Sequence, residues 1–316
     1  MVPKLHLALR AGESSTAVAN TTVRNLIVNA DDLAWTEGVN RGIAEAHCNG
    51  IVTSATILAN GAAFASAVEL VKATPALGVG VHLNLSDGKP VSPPETVQSI
   101  VNNRGEFAGG PEALLLRITR RNLRLNEVEI EWESQIQKVV NAGIHPTHLD
   151  GHKHVHMLPG MFEIALRVAK RNAIAAVRIS HEGSSLRAAL SAGEDQNVPL
   201  VMKQGVQARV LKLLARDARA LAEAAGIAST DYFCGIAQTG ELTIEGMKCL
   251  LQNLPEGTTE MMCHPGFMDK ELEESPTRLQ NSRELEVQIL TSTDIRNLVA
   301  SQGIRLIDYR FVAEKA

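Results

Sequence analysis

Aromatic rings are scarce in this chain. Phe, Trp and Tyr together make up 3% of its 316 residues, too few for the stacked platform on which proteins bind single-stranded nucleic acid. Positive charge is not in excess either. The formal net charge is −4 and the isoelectric point about 6.2, so no nucleic-acid partner is expected. Cysteine is limited to Cys48, Cys234, Cys249 and Cys263. None forms a CxxC pair, and their spacing gives neither a disulfide framework nor a zinc knuckle. They read as reduced and mostly packed, which fits a cytoplasmic enzyme. No apolar run is long enough to span a membrane.

No export signal is expected in the first residues. A secretory signal needs an unbroken apolar core of roughly 7–15 residues, and Lys4, His6 and Arg10 interrupt the first ten. Residues 12–22 are rich in Ser, Thr, Gly and Ala and read as a disordered lead-in. Residues 1–24 are therefore set apart as a disordered extension or a misplaced start. Residues 25–316 are expected to form one domain, a comfortable size for an α/β barrel.

What is present is ordinary for a globular protein: 45% apolar and 21% charged residues. Leu26-Ile27-Val28 is a short, fully apolar run, as in a strand buried on both faces. A helix follows, with Thr36 as N-cap and Val39, Ile43 and Ala46 on its apolar face. The alternation continues, with strands expected over 53–59, 77–85, 147–150, 175–179, 231–236, 259–263 and 304–308. Helices are expected over 62–72, 111–141 in one or two pieces, 159–171, 203–225, 244–253 and 283–301. Eight strands alternating with helices predict a parallel sheet, closed into a barrel. An open doubly wound sheet is the structural alternative. Residues 87–110, 181–199 and 266–281 are expected to be long loops around the barrel mouth. A homodimer, with one such loop supplied by a neighbouring subunit, stays open.

The polar residues of interest fall where strands end, and in a barrel those ends share the face that carries active sites. Asp31-Asp32 follows strand one. One carboxylate can bind a metal while the other stays free as a base, although an acidic pair also suits a turn or a helix start. His82 lies near the end of strand three, where a lone histidine is otherwise a core residue. Asp150-Gly151-His152-Lys153-His154-Val155-His156 follows strand four. If that stretch is extended, its three imidazoles share a face and can ligate a metal. Arg178 ends strand five. His264 sits in Cys263-His264-Pro265-Gly266, where a turn alone is the other reading. Two His and one Asp around an ion, with positions left for water and substrate, suit a one-metal hydrolase.

Taken together, these blocks resemble the YdjC-like carbohydrate deacetylases, from about Asn25 to the C-terminus. The resemblance rests on Leu26 to Asp32, on Gly50-Ile51-Val52-Thr53-Ser54-Ala55-Thr56, on Gly80-Val81-His82-Leu83-Asn84-Leu85, on Pro146 to His156 and on Cys263 to Gly266. It implies a deformed (β/α) TIM-like barrel, one divalent metal cation and hydrolysis of N-acetyl groups on amino sugars in chitooligosaccharides or N-acetylglucosaminyl conjugates. Carried over by motif, it implies Asp31 as base, Asp32, His82 and His152 as metal ligands, and His264 as the residue assisting the leaving amine. Asp150, His154, His156 and Arg178 are expected behind the ligands or facing substrate. Imidazole favours Zn2+, while carboxylate and water suit Mg2+. Family members usually follow the double Asp with Phe-Gly; here Leu33-Ala34-Trp35 stands, which leaves the exact sugar open. The alternatives are a glycoside hydrolase using paired carboxylates and a metal-binding module without catalysis.

Overall fold

A computed structural model describes residues 23–184 and 215–314, with single positions at 186, 205, 209 and 211 between them. The expected N-terminal extension, most of the loop 181–199 and the first half of the helix 203–225 lie outside the described residues.

Seven parallel strands are found among them: β1 (Arg24–Leu33), β2 (Ser54–Ile57), β3 (Gly78–Leu83), β4 (Leu149–Gly151), β5 (Tyr232–Cys234), β6 (Gly257–Cys263) and β7 (Arg305–Leu306). Their order is β4-β3-β2-β1-β6-β5, with β7 against β1. β1 is buried along its whole length after Arg24, as its apolar run requires.

Beyond the two edges of this sheet, single bridges carry it on. Leu149 pairs with Val177, Ala176 with Ala228, and Glu182 with Phe233 of β5. The fifth strand expected over 175–179 is thus reduced to isolated pairings, which close the ring loosely and make the barrel deformed. β7 departs as well. It meets β1 at Asn25 and Leu26, and β2 takes over from Asn29 onward, while β6 follows β1 from Arg24 to Ala30. The ring is therefore splayed at its N-terminal end, and at its C-terminal end the register between β1 and β2 shifts between Ala30 and Leu33.

The helices pack outside this ring: α1 (Glu37–Cys48), α2 (Phe64–Ala73), α3 (Pro111–Thr119), α4 (Leu125–Asn141) and α5 (Met161–Arg171), then further helices that include Ser282–Thr291 and Thr293–Ser301. Thr36 caps α1, its side chain accepting from the Val39 N–H at 3.2 Å. Gly42 on α1 has no room for a side chain, because a Cβ would lie 2.3 Å from Gly266 Cα. That close approach presses α1 onto the turn after β6. α4 buries Val128, Trp132, Ile136 and Val139, an apolar stripe at helical spacing. Two acids on α4 hold the 87–110 loop instead: Glu131 accepts the Val91 and Ser92 N–H groups, each at 2.9 Å, and Glu127 accepts that of Ser99 at 2.6 Å. Among the described residues no helix is long and apolar enough to cross a membrane.

Candidate metal centre

Strand register brings the polar ends to one level. Ala30 of β1 lies beside Cys263 of β6, so Asp31-Asp32 and His264 follow together. His82 of β3 faces Asp150 of β4. Both acids belong to the end of β1 itself. Alternation along a strand would send them to opposite faces, but Asp32 has φ 69°, a left-handed conformation that Asp tolerates. Both side chains consequently line the same cavity of about 420 Å³, together with His82, His152, His154 and His264.

Three ligand atoms converge on its floor. His152 Nδ1 is 2.9 Å from Asp32 Oδ1, His82 Nε2 is 3.5 Å from the same oxygen, and the two nitrogens are 3.3 Å apart. Asp32 Oδ1 is buried and accepts no hydrogen bond from the described residues. Donors roughly 2.0–2.2 Å from one ion lie about 3.0 Å apart at right angles and about 3.4 Å apart at the tetrahedral angle. The trio thus has the spacing of three ligands of one cation, and this buried cluster can hold a metal. Asp31, His82 and Asp150 form a second convergent group. There the Arg178 guanidinium fills the place of an ion, 2.7 Å from Asp31 and 2.8 Å from Asp150.

The surroundings fix the charges. His82 Nδ1 lies 2.6 Å from Asp150 Oδ1, so that nitrogen donates to the carboxylate and Nε2 is the one that faces Asp32. Burial pushes the Asp150 carboxyl up, but Arg178 and His82 override it and hold it far below the carboxylate range. Asp32 is also raised by burial, and His152 and Arg283 overcome this and keep it well below its ordinary value. Burial lowers His152, yet the Asp32 and Asp87 carboxylates lift it to about 9. Arg283, from the helix Ser282–Thr291, donates to Asp32 Oδ2 at 2.7 Å.

Asp31 is not the free carboxylate that the sequence suggests. It accepts two hydrogen bonds from Arg178, each 2.7 Å, and one from Asn29 Nδ2 at 2.9 Å. A carboxylate has about four acceptor positions, so one remains on Oδ2. Arg178 itself is fully buried and does not line the cavity. Its Nε donates to Glu260 Oε1 at 2.9 Å, and Tyr309 donates to the other oxygen of Glu260. Arg178 therefore stands behind Asp31 and Asp150 rather than on the cavity wall.

The segment His152–Met157 is a short 3-10 turn rather than an extended stretch, with Lys153 and His154 at φ 52° and 58°. The three imidazoles fan out instead of sharing a face. His152 joins the trio. His154 Nδ1 lies 2.8 Å from Ser180 Oγ and its ring reaches the cavity wall. His156 Nε2 turns away to the Arg178 carbonyl at 3.1 Å. His264 donates its backbone N–H to Glu286. Burial lowers the His264 imidazole to about 4, against the pull of Asp32 and Asp31, and raises the Glu286 carboxyl to about 7.

Sequence reasoning missed Asp87, Glu260, Arg283 and Glu286. Glu260 leaves a signal, a lone acid inside the buried strand Gly257–Cys263. Arg283 and Glu286 lie on an amphipathic helix and leave none.

Comparison with known proteins agrees with this geometry. The family model described as YdjC-like protein matches residues 25–301. A carbohydrate deacetylase of Geobacillus stearothermophilus is 32% identical over 288 residues, covering 91% of this chain and 97% of that protein. A chitooligosaccharide deacetylase of Salmonella typhimurium is 34% identical over 291 residues, covering 89% and 96%. A solved structure from Enterococcus faecalis V583, described as a candidate cellobiose-phosphate cleavage protein, is 29% identical with a TM-score of 0.71, covering 92% of this chain and 98% of that one. The chain belongs to the YdjC-like protein family.

Proposed function

We propose that this chain is a metal-dependent deacetylase that hydrolyses the N-acetyl group of an amino sugar, as found in chitooligosaccharides or N-acetylglucosaminyl conjugates. The observation that carries this reading is the convergence of Asp32 Oδ1, His82 Nε2 and His152 Nδ1 on the floor of an open cavity that Asp31 and His264 also face. The substrate class comes from the relatives named carbohydrate deacetylase and chitooligosaccharide deacetylase.

Charge supports a divalent ion. Asp32 of the trio and three further buried carboxylates, Asp31, Asp150 and Glu260, stand with two buried guanidinium groups, Arg178 and Arg283, an excess of two acidic groups. Two imidazoles suit Zn2+, and one carboxylate with room for water suits Mg2+. Bound there, the cation supplies Lewis-acid polarisation of a carbonyl and acidifies water. The chain's own groups do the rest. Arg178 and Asn29 orient Asp31 so that its remaining acceptor position takes a proton from the attacking water. The departing nitrogen needs a proton, because an amide anion is a very poor leaving group. His264 is neutral at pH 7, so the proton collected by Asp31 is the one delivered, and His264 contributes a hydrogen bond at the reacting centre.

Glycoside hydrolysis needs one protonated carboxyl beside an ionised one. Asp32 is held well below its ordinary value, and Asp31 is engaged on both oxygens by Arg178, so the two are not a pair of free carboxyls flanking a bond. All four cysteines are free, which supports work in a reducing compartment such as the cytoplasm. An acetate-release screen tests the reading. N-acetylglucosamine, chitobiose, longer chitooligosaccharides and an N-acetylglucosaminyl glycolipid are offered with Mg2+ or Zn2+. Acetate without new reducing ends is expected. New reducing ends without acetate, or no acetate from any of them, overturns the reading.

A further inference from the structure

The two imidazoles of the trio present different nitrogens to it. His82 uses Nε2 and His152 uses Nδ1. For His82 the cause is Asp150, which holds Nδ1 at 2.6 Å. For His152 the counterpart is Asp87, whose Oδ2 lies 3.1 Å from Nε2, an ion-pair contact without the alignment of a hydrogen bond. Asp87 comes from the first residue of the long loop after β3, and no motif draws attention to it.

The fold spends many contacts on placing this one side chain. The Asp87 carbonyl accepts from Asn84 Nδ2 at 2.8 Å and from Asn60 Nδ2 at 2.9 Å. Asn84 Oδ1 accepts the backbone N–H of Ser86 at 2.9 Å and that of Asp87 at 3.3 Å. Asn84 is in turn bracketed by Gln135 of α4, which accepts its N–H at 2.9 Å and donates to its carbonyl at 2.7 Å. The carboxylate is aimed by Ser86 Oγ at 2.7 Å and by Lys153 Nζ at 2.6 Å. Lys153 reaches it because its own backbone is left-handed, the same local feature that sends His154 and His156 away from His152.

We propose that Asp87 is a positioning residue for the metal: it holds the His152 ring by Nε2, so that Nδ1 faces the ion, as Asp150 holds His82 from the other side. This rests on the metal reading given above. Such carboxylate partners fix tautomer and ring orientation, and their loss costs roughly 10- to 100-fold in metal affinity. Lys153 on the same oxygen balances the carboxylate's charge and ties the 87–110 loop to the 152–157 turn.

The test is Zn2+ affinity, read by competition with a chromophoric chelator, for the wild-type protein, Asp87→Asn and a loop control, Glu95→Gln. Asp87→Asn is expected to bind Zn2+ roughly 10- to 100-fold more weakly, with the control unchanged. Equal affinity in Asp87→Asn and wild type overturns the role of Asp87 and leaves the metal reading standing. No binding by the wild type overturns both. A second measurement needs no variant, should Asp87→Asn fold poorly. In zinc-loaded protein with ¹⁵N-labelled histidine, one coordinated ring is expected to carry its proton on Nδ1 and the other on Nε2. Two rings protonated at the same position overturn the inference.

Discussion

Arg178 Nη1 and Nη2 grip the two oxygens of Asp31 as a fork, each contact 2.7 Å long, from residues 147 positions apart. The same guanidinium reaches Asp150 at 2.8 Å and Glu260 at 2.8 Å. Its five N–H groups are thus divided among three buried carboxylates, one of which orients His82. The proposed base and one proposed ligand are held by a single cation.

Removing that cation should therefore damage fold and activity together. Arg178→Ala leaves three buried acids without their partner, a loss of about 3–5 kcal/mol by analogy with broken buried ion pairs. Arg178→Lys keeps the charge but not the fork, and is expected to fold while losing most activity. Urea unfolding and acetate release separate the two effects. Wild-type turnover in Arg178→Lys would show that orientation of Asp31 does not matter.

Metal content should follow the trio. Elemental analysis of purified His82→Ala is expected to find little of the ion present in the wild type, and chelation should abolish activity. Chelation should also lower thermal stability, by about 2.7 kcal/mol if the ion had been present at a hundred times its dissociation constant. Equal metal in both proteins removes His82 from the ligand set.

Asp31→Asn keeps the shape of the base and removes its function. Turnover should fall roughly 10²- to 10⁴-fold, while metal content stays at the wild-type level because Asp31 is outside the trio. An active variant refutes the base. A metal-free one shows that the carboxylate serves the ion.

The pH dependence of stability has a definite sign. Burial lowers His148 to about 3 and His156 and His264 to about 4, and His154 falls well below its ordinary value for the same reason. Unfolding returns all four to about 6.5 and so takes up protons between pH 6.5 and 4. Stability must fall as pH falls through that window. Glu286, raised to about 7 by burial, and Glu260, also raised by burial, act in the opposite direction but are two groups against four. Urea-unfolding free energies at pH 6.5, 5.5 and 4.5 should decline, and a flat or rising series contradicts the buried neutral imidazoles. In catalysis the same burial predicts that His264→Ala keeps the alkaline limb of the pH–rate profile; loss of that limb returns the acid role to His264.

Local chemistry made much of this protein legible. Runs such as Leu26-Ile27-Val28 are apolar on both faces because parallel strands are covered on both sides, so the alternating α/β plan could be read directly. Thr36 announced its helix because its side-chain oxygen satisfies an N–H that the helix cannot. The residues that meet at the cavity were visible because strand ends in such a ring share one face.

Long-range placement decided the rest. Nothing near Asp32 in sequence points to Arg283, 251 residues away, and nothing near His152 points to Asp87. The weak pairings of the 175–179 segment and of β7 depend on how neighbouring strands splay, which no window of residues contains. The fan of His152, His154 and His156 follows from two consecutive left-handed residues, a backbone state that Lys and His seldom adopt and that alternation therefore misreads. The sequence by itself determined the layers and the reactive groups. Only the tertiary structure decided which group carries which charge, because a buried side chain's charge depends on partners that the fold brings from elsewhere.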